Sequence, residues 1–171
     1  MRLIDCTYFT KGERIIQNAP AIPTPIEQNQ IAVKNTIDGF IESLQEEFLS
    51  DMVGSTVMRL LLVYAETGAM EEGDDGYDAE LSYLLDAVKE PFADFVMYRI
   101  LRATITHATT TGTVQLQSGN VFVNPELLMV RNWNNMVKRV RQFLAECDEY
   151  VSSYSVVVNE NLMTPINGMN L

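Results

Sequence analysis

Apolar side chains recur along much of this chain with the spacing of one helix face. Between residues 36 and 53 they stand three or four positions apart, which gives a single stripe at 3.6 residues per turn. Gly54 is a typical helix stop, and Ser55 can cap a second helix over about residues 56–66. The pattern predicts two helices that bend sharply against each other. The residues of the first stripe are Ile37, Phe40, Ile41, Leu44, Phe48 and Met52.

A third apolar stretch predicts the centre of the fold. Asp78 can cap a helix that begins next to it, and Pro91 then interrupts this helix, either as a kink or as the first residue of a new one. From Phe92 to Ile105 the chain is apolar on nearly every side. A helix without a polar face is usually surrounded by others, so this segment is expected to form the core.

Helical spacing gives way to alternation after Thr104. The alternation predicts a β-hairpin over residues 109–124 with its turn at residues 118–119. A lone two-stranded hairpin is marginal in water, so it is expected to pack on the helices or to pair with a strand from another copy. On one face of the predicted hairpin Leu116 pairs with Val121 and Val114 with Val123, while Phe122 lies on the other face.

The last helix has a clear beginning. Asn124 can cap it, Pro125 suits its first position, and Glu126 places a negative charge in its first turn. Its apolar stripe continues to Val151. The chain is therefore predicted to be mainly α, a helical bundle of about four to five helices with a β-hairpin inserted before the last long helix.

The two ends of the chain differ from its helical middle. Three prolines stand close together in the stretch APAIPTPI, and proline fixes φ and has no N–H donor. Residues 1–35 are therefore expected to be an extended lead-in, with room for a short helix over about residues 11–18. Residues 36–153 form the predicted domain. Residues 154–171 form a polar tail of a kind that orders on a partner.

Charge is unevenly distributed along the chain, whose net charge is −11. Residues 66–94 hold ten acidic side chains and one lysine, whereas residues 99–141 hold six basic side chains and one glutamate. The two segments could be solvated faces of opposite sign, or complementary surfaces that steer one copy onto the next. The acidic balance disfavours nucleic acid as a sequence-specific partner. No apolar run is long enough to predict a membrane span, and the start does not resemble a signal peptide, so synthesis in the cytoplasm is expected.

Candidate chemistry is sparse. His107 is the only histidine and has no local catalytic motif, so a structural role is favoured. The acidic cluster over residues 71–80 lacks the residue order of a calcium-binding EF-hand loop. Cys6 and Cys147 lie at opposite ends of the chain and indicate neither a zinc site nor a disulfide framework, although a single bridge stays open. The sequence therefore predicts a protein that is not an enzyme and that has no metal, cofactor or small-molecule substrate.

The order of motifs resembles one known family. The helical hairpin IESLQEEFLSDMVGSTVMRLL is followed by LLDAVKEPFADFVMYRIL, by the Thr/Val-rich stretch TTGTVQLQSGN and by the helix NWNNMVKRVRQFLAECDEYV. This order is similar to that of the head–tail connector, or neck adaptor, proteins of tailed phages, in particular those of phages and prophages of Bacteroides-type gut bacteria. The resemblance covers roughly residues 36–151.

The resemblance implies a structural virion protein. Many copies would form a ring beneath the portal, with partners among copies of the same chain, the portal and tail-completion proteins. Assembly would take place in the host cytoplasm, and the finished ring would lie in the virion neck. The hairpin and the tail would reach neighbouring subunits. Candidate subunit contacts are Val114, Leu116, Val121, Phe122, Val123, Arg131, Arg139 and Arg141.

Two other classes of function stay open at this point. One is an all-α regulatory or protein-binding module that captures a single partner protein. The other is a metal-dependent enzyme whose metal would bind at the acidic loop. The number of copies in solution distinguishes the first alternative from a ring, and titration with divalent cations tests the second.

Overall fold

The computed structural model of the chain describes residues 2–68, 72–109, 112–115 and 125–167. It confirms the mainly helical class. Four α-helices lie in this part of the chain, together with three short 3-10 turns at Cys6–Phe9, Gly12–Arg14 and Glu160–Met163. The helices are α1 (Gln28–Val53), α2 (Ser55–Thr67), α3 (Ala79–Ile105) and α4 (Pro125–Tyr150).

The bend between α1 and α2 lies where the glycine predicts it. Gly54 has φ +84°, in the left-handed region that suits glycine, and its N–H donates to the Ser50 carbonyl at 3.1 Å. Helix α1 begins at Gln28, eight residues before the predicted start at 36. Apolar periodicity does not reveal these first two turns because most of their side chains are exposed.

Helix α3 runs without interruption through Pro91, so the prediction that a new helix begins at this residue is wrong. Proline in a helix interior removes one hydrogen bond and costs about 3 kcal/mol in an isolated helix. Here residues 91–98 are all buried, and the burial of this segment can offset that cost. The described chain therefore has four α-helices, at the lower end of the predicted range.

The core forms around the middle of α3, as its apolar sequence predicts. Phe48 of α1 packs against Phe92 and Phe95 of α3, with ring centroids 5.3 and 5.2 Å apart. Tyr83 near the start of α3 stacks on Tyr150 at the end of α4, which shows that the two helices lie antiparallel. Both ends of the chain reach this core, since buried side chains include Leu3, Ile4, Cys6, Phe9 and Leu162. The segments that composition sets apart as lead-in and tail thus pack on the helices as far as residue 167.

The β-hairpin predicted with its turn at residues 118–119 is not seen. Instead β1 (Thr106–Thr109) pairs antiparallel with β2 (Gly112–Gln115), and His107 is the partner of Val114. Val123, the predicted partner of Val114, lies outside the described residues. Alternation identifies extended chain but leaves its partner open, since a shift of register by two residues keeps every side chain on its face. The predicted contacts Leu116, Val121, Phe122 and Val123 lie outside the described residues.

Within the described ranges, no helix combines the length and the apolar character that crossing a bilayer requires.

Candidate interaction surfaces

The three arginines predicted as subunit contacts all bind groups of their own chain. A guanidinium nitrogen of Arg131 lies 3.5 Å from a carboxylate oxygen of Glu13, and Arg139 donates to Asp94 at 2.9 Å. Arg141 donates twice to the Met163 carbonyl, from Nε at 3.0 Å and from a terminal nitrogen at 2.6 Å. These side chains attach the two ends of the chain, and α3, to helix α4.

Four charged side chains, grouped around the buried carboxylate of Asp94, join the lead-in to α3 and α4. The Asp94 side chain is 4% exposed, with Arg139 at 2.9 Å and Arg14 at 3.5 Å. Glu90 contacts the same two arginines, at 2.7 Å from Arg14 and 3.6 Å from Arg139. Burial raises the pKa of Asp94 to about 6, and the two arginines oppose part of this rise. The two guanidinium groups thus bridge the buried Asp94 carboxylate and the partly exposed Glu90 carboxylate.

Two asparagines of α4, Asn132 and Asn135, also hold the lead-in, and both bind Glu13. Asn132 is fully buried, and its amide donates to the Glu13 carbonyl at 3.2 Å and to the Leu128 carbonyl at 2.9 Å. Asn135 donates to the Glu13 carboxylate at 2.8 Å. A buried side chain that bonds a main-chain carbonyl of a distant segment fixes the position of that segment. The lead-in is therefore attached to α4 by its main chain as well as by charge.

A second buried carboxylate attaches the very start of the chain to α1. Asp38 forms ion pairs with Arg2 and Lys34, and its side chain is 8% exposed. Gln45, about two helical turns further along α1, accepts a hydrogen bond from the Leu3 N–H at 2.8 Å. These contacts explain how Leu3 and Ile4 come to be buried although the sequence around them predicts extended chain.

Surface charge is more one-sided in the structure than in the sequence. Antiparallel packing places the acidic start of α3 beside the acidic end of α4, which carries Glu146, Asp148 and Glu149. Three arginines of the basic segment form ion pairs within the chain. Besides Arg131 and Arg139, Arg99 lies 3.6 Å from Glu47, and it also lies over the Phe95 ring. The bundle therefore has one acidic end. The ion pairs within the chain leave less basic charge for the complementary surface that the sequence predicted.

At the end of the acidic loop, Asp78 accepts hydrogen bonds from α3 and from the C-terminal residues. Asp78 accepts from the Leu81 N–H at 2.9 Å, which caps α3 and lowers the pKa of Asp78, and it also accepts from the Tyr154 hydroxyl. Among the described residues, no group of three or more His, Cys, Asp or Glu side chains could hold a metal ion. Cys6 and Cys147 are separate buried thiols, so they form no bridge with each other, and burial raises the pKa of both.

The C-terminal residues 152–167, here called the strap, wrap around three helices. The strap starts at the beginning of α3, where the N–H and hydroxyl groups of Ser152 and Ser153 all donate to the Glu80 carboxylate. It then crosses the bend between α1 and α2, where Asn159 binds both the carbonyl and the carboxylate of Asp51. Its end returns to the middle of α4.

Three side chains of α4 bind the end of the strap by its main chain. Trp133 donates from its indole nitrogen to the Thr164 carbonyl at 2.8 Å. Asn134 donates to the Ile166 carbonyl and accepts from the Ile166 N–H, both at 2.9 Å, so its amide pairs with that residue as a neighbouring strand would. Arg141 completes the set at the Met163 carbonyl. Side chains Trp133, Asn134 and Arg141 are called the α4 clamp below.

Trp133 and Asn134 are binding residues that were not predicted from the sequence. A signal for them was present, because asparagine is a poor helix former and three asparagines surround Trp133 in the run NWNN in mid-helix. Such a run indicates side chains used for specific hydrogen bonds and not for helix stability.

The middle of the strap is held by side-chain packing, because Val156 and Val158 are partly buried against the core. It passes beside a groove of about 600 Å³ at the bend between α1 and α2, which is lined on the helix side by Gly54, Val57 and Leu60. Val157 of the strap also lines this groove and is 64% exposed. In the described part of the chain, Ser155–Val158 form no main-chain hydrogen bond.

Comparison of the chain with protein-family models, with curated proteins and with solved structures finds no match.

Proposed function

We propose that this chain is a structural subunit of the tailed-phage neck, a connector that forms a ring of identical copies at the portal vertex. In this proposal the chain positions other proteins and catalyses no reaction. Its partners are copies of itself, the portal and the tail-completion proteins. It assembles in the host cytoplasm and ends in the virion neck.

The observation that supports this proposal best is the hairpin at the end of α3. Each strand has four residues, and in the described residues the sheet has two strands only. A sheet of this size is marginal on its own in water. Pairing with a further strand, or packing against a neighbouring copy, would stabilise it, and a ring provides a neighbour on each side of every subunit.

The helical body is consistent with such a role. Its core is completed within one chain, because residues 91–98 of α3 are buried by the chain's own helices and ends. A body of this kind can fold before it assembles, and it leaves the hairpin, the acidic end and the strap on its periphery for contacts with other subunits.

The mass of the purified chain in solution tests the proposal. One copy has a mass of 19.3 kDa, so light scattering across a concentration series distinguishes a ring of many copies from a monomer. We expect a species of many copies at high concentration or when purified portal is added. A chain that stays at the mass of one copy under both conditions would overturn the proposal. Genes for portal, capsid and terminase beside this one would support it.

A protein-binding module is the second candidate, and the α4 clamp is the observation that favours it. Side chains that bind a peptide main chain could in principle hold a segment of an unrelated protein. Stoichiometry separates the two functions, because a module would bind one partner as a single copy, whereas a connector would bind its own copies.

A further inference from the structure

We infer that the end of the strap, residues 159–167, exchanges between copies and occupies the α4 clamp of the neighbouring subunit in the assembled state. This inference rests on the proposed function, in which the chain forms a ring. It names the segment and the side chains that would join one copy to the next. Four features of the structure carry it.

The first feature is the way in which the clamp recognises the strap. Its hydrogen bonds go to main-chain groups of Met163, Thr164 and Ile166. The strap of a second copy has the same groups in the same order, together with Leu162 as an apolar anchor. Every bond made within one chain can therefore be made between two chains, which is the condition for exchange of identical segments.

The second feature is the division of the strap into two parts held by hydrogen bonds and a connection between them. Its start is bound by Glu80 and its end by Asp51 and the clamp. Between them, Ser155–Val158 lack main-chain hydrogen bonds within the described residues. Reorienting the backbone of residues 155–158 would break no main-chain hydrogen bond of these residues. This segment is therefore suited to act as the hinge.

The third feature is the space beneath the hinge. The groove of about 600 Å³ beside Val157 leaves space on one side of the hinge, while Val156 and Val158 pack against the core. Lifting it from one body would expose the partly buried side chains of Val156 and Val158, whereas Val157 is already 64% exposed. The contacts of the strap end are restored on the neighbour, so the lasting cost of exchange is the exposure of these two valines.

The fourth feature is the reach of the hinge. Four extended residues span at most about 14 Å, so the clamp that receives the strap must belong to a body in direct contact. Two copies in brief contact do not keep the hinge of one beside the clamp of the other. Adjacent subunits of a ring do, and the exchange would bind each copy to the next in one direction around it.

A cysteine pair on separate chains tests the exchange directly. One full-length chain carries Asn134→Cys and another, with a mass tag, carries Ile166→Cys. Neither can form the new bond within itself, so a disulfide between them requires the strap of one copy to lie in the clamp of the other. We expect a covalent heterodimer after mild oxidation of the mixed, concentrated sample.

Controls separate this bond from chance collision. Ser155→Cys replaces Ile166→Cys in the matched mixture, because this residue lies on the same strap but beside the α1–α2 groove. The unmodified chain controls for its own buried cysteines. Heterodimer in the Ile166→Cys mixture at a yield no greater than in the Ser155→Cys mixture would overturn the exchange.

A second variant keeps the inference testable if mixing is inefficient. The double variant N134C/I166C, oxidised at low concentration, should lock the strap in its own clamp as a covalent monomer. We expect the locked chain to lose assembly, measured by light scattering, and to regain it when the disulfide is reduced. Assembly of the locked chain to the same mass as the reduced chain would sink the exchange and leave the ring intact. A reduced chain that stays monomeric, with no heterodimer, would count against both.

Discussion

Arg139 of α4 and Asp94 of α3 join the two antiparallel helices, with Nε of Arg139 2.9 Å from Oδ2 of Asp94. Arg14 of the lead-in approaches the other carboxylate oxygen at 3.5 Å. A single buried carboxylate thus holds three segments that are distant in sequence. Because it is so deeply buried, its ionisation should influence the stability of the whole fold.

Stability should therefore depend on the protonation of Asp94. Its pKa is raised from 3.8 to about 6 in the folded state, so the folded protein holds this proton more tightly than the unfolded chain. The contribution is complete below about pH 4 and is lost as pH rises through 6, which lowers the free energy of unfolding by up to ~3 kcal/mol. Urea unfolding at pH 4.5, 5.5, 6.5 and 7.5 measures it. Asp94→Asn should remove the slope, and an unchanged slope in this variant would contradict the assignment.

Asn132 should be more important for stability than its neighbour Asn135, although both bind Glu13. Asn132 is fully buried and bonds two main-chain carbonyls, so Asn132→Ala removes two hydrogen bonds and should cost about 1–3 kcal/mol. Asn135→Ala removes an exposed bond to a carboxylate and should cost well under about 1 kcal/mol. Thermal and urea unfolding of the two variants provide the comparison. Equal losses would show that Asn132 does not anchor the lead-in.

Glu80 should control the start of the strap. Its carboxylate accepts from the N–H groups of Ser152 and Ser153, which lowers the pKa of Glu80, so this attachment is present above its ordinary pKa and is lost as pH falls through the lowered value. Glu80→Ala should accelerate hydrogen exchange at both serine amides. Asp86→Ala, which removes only an ion pair with Lys89, is the matched control and should leave exchange at the strap unchanged.

Trp133 is the only tryptophan and reports directly on the end of the strap. Asn134→Ala and Arg141→Ala each remove clamp bonds to the strap, so both should increase the exposure of the indole. We expect emission at longer wavelength and stronger quenching by acrylamide in both variants. Gln142→Ala alters only a bond to Glu146 on the same helix and serves as the control. Spectra of the clamp variants that match the unmodified chain would show that the clamp does not hold the strap.

The sequence by itself determined the elements whose cause is local. The apolar stripe before Gly54, the freedom of glycine at that position, the Asp78 cap and the unbroken apolar run after Pro91 predict helices and their places, because each depends on residues a few positions apart. The same reasoning predicts that the middle of α3 is buried. It also predicts the start of α4 at Pro125.

Tertiary structure decided everything that joins distant residues. Alternation alone could not choose Val114's partner, and charge runs could not reveal that Arg139 belongs to Asp94 or Arg141 to the Met163 carbonyl. Pro91 stays within one helix, although proline disfavours a helix interior, since its surroundings bury it. The strap and the lead-in pack for the same physical reason: their hydrogen-bond partners and apolar contacts lie on helices far away in the chain, and no local pattern encodes such pairs.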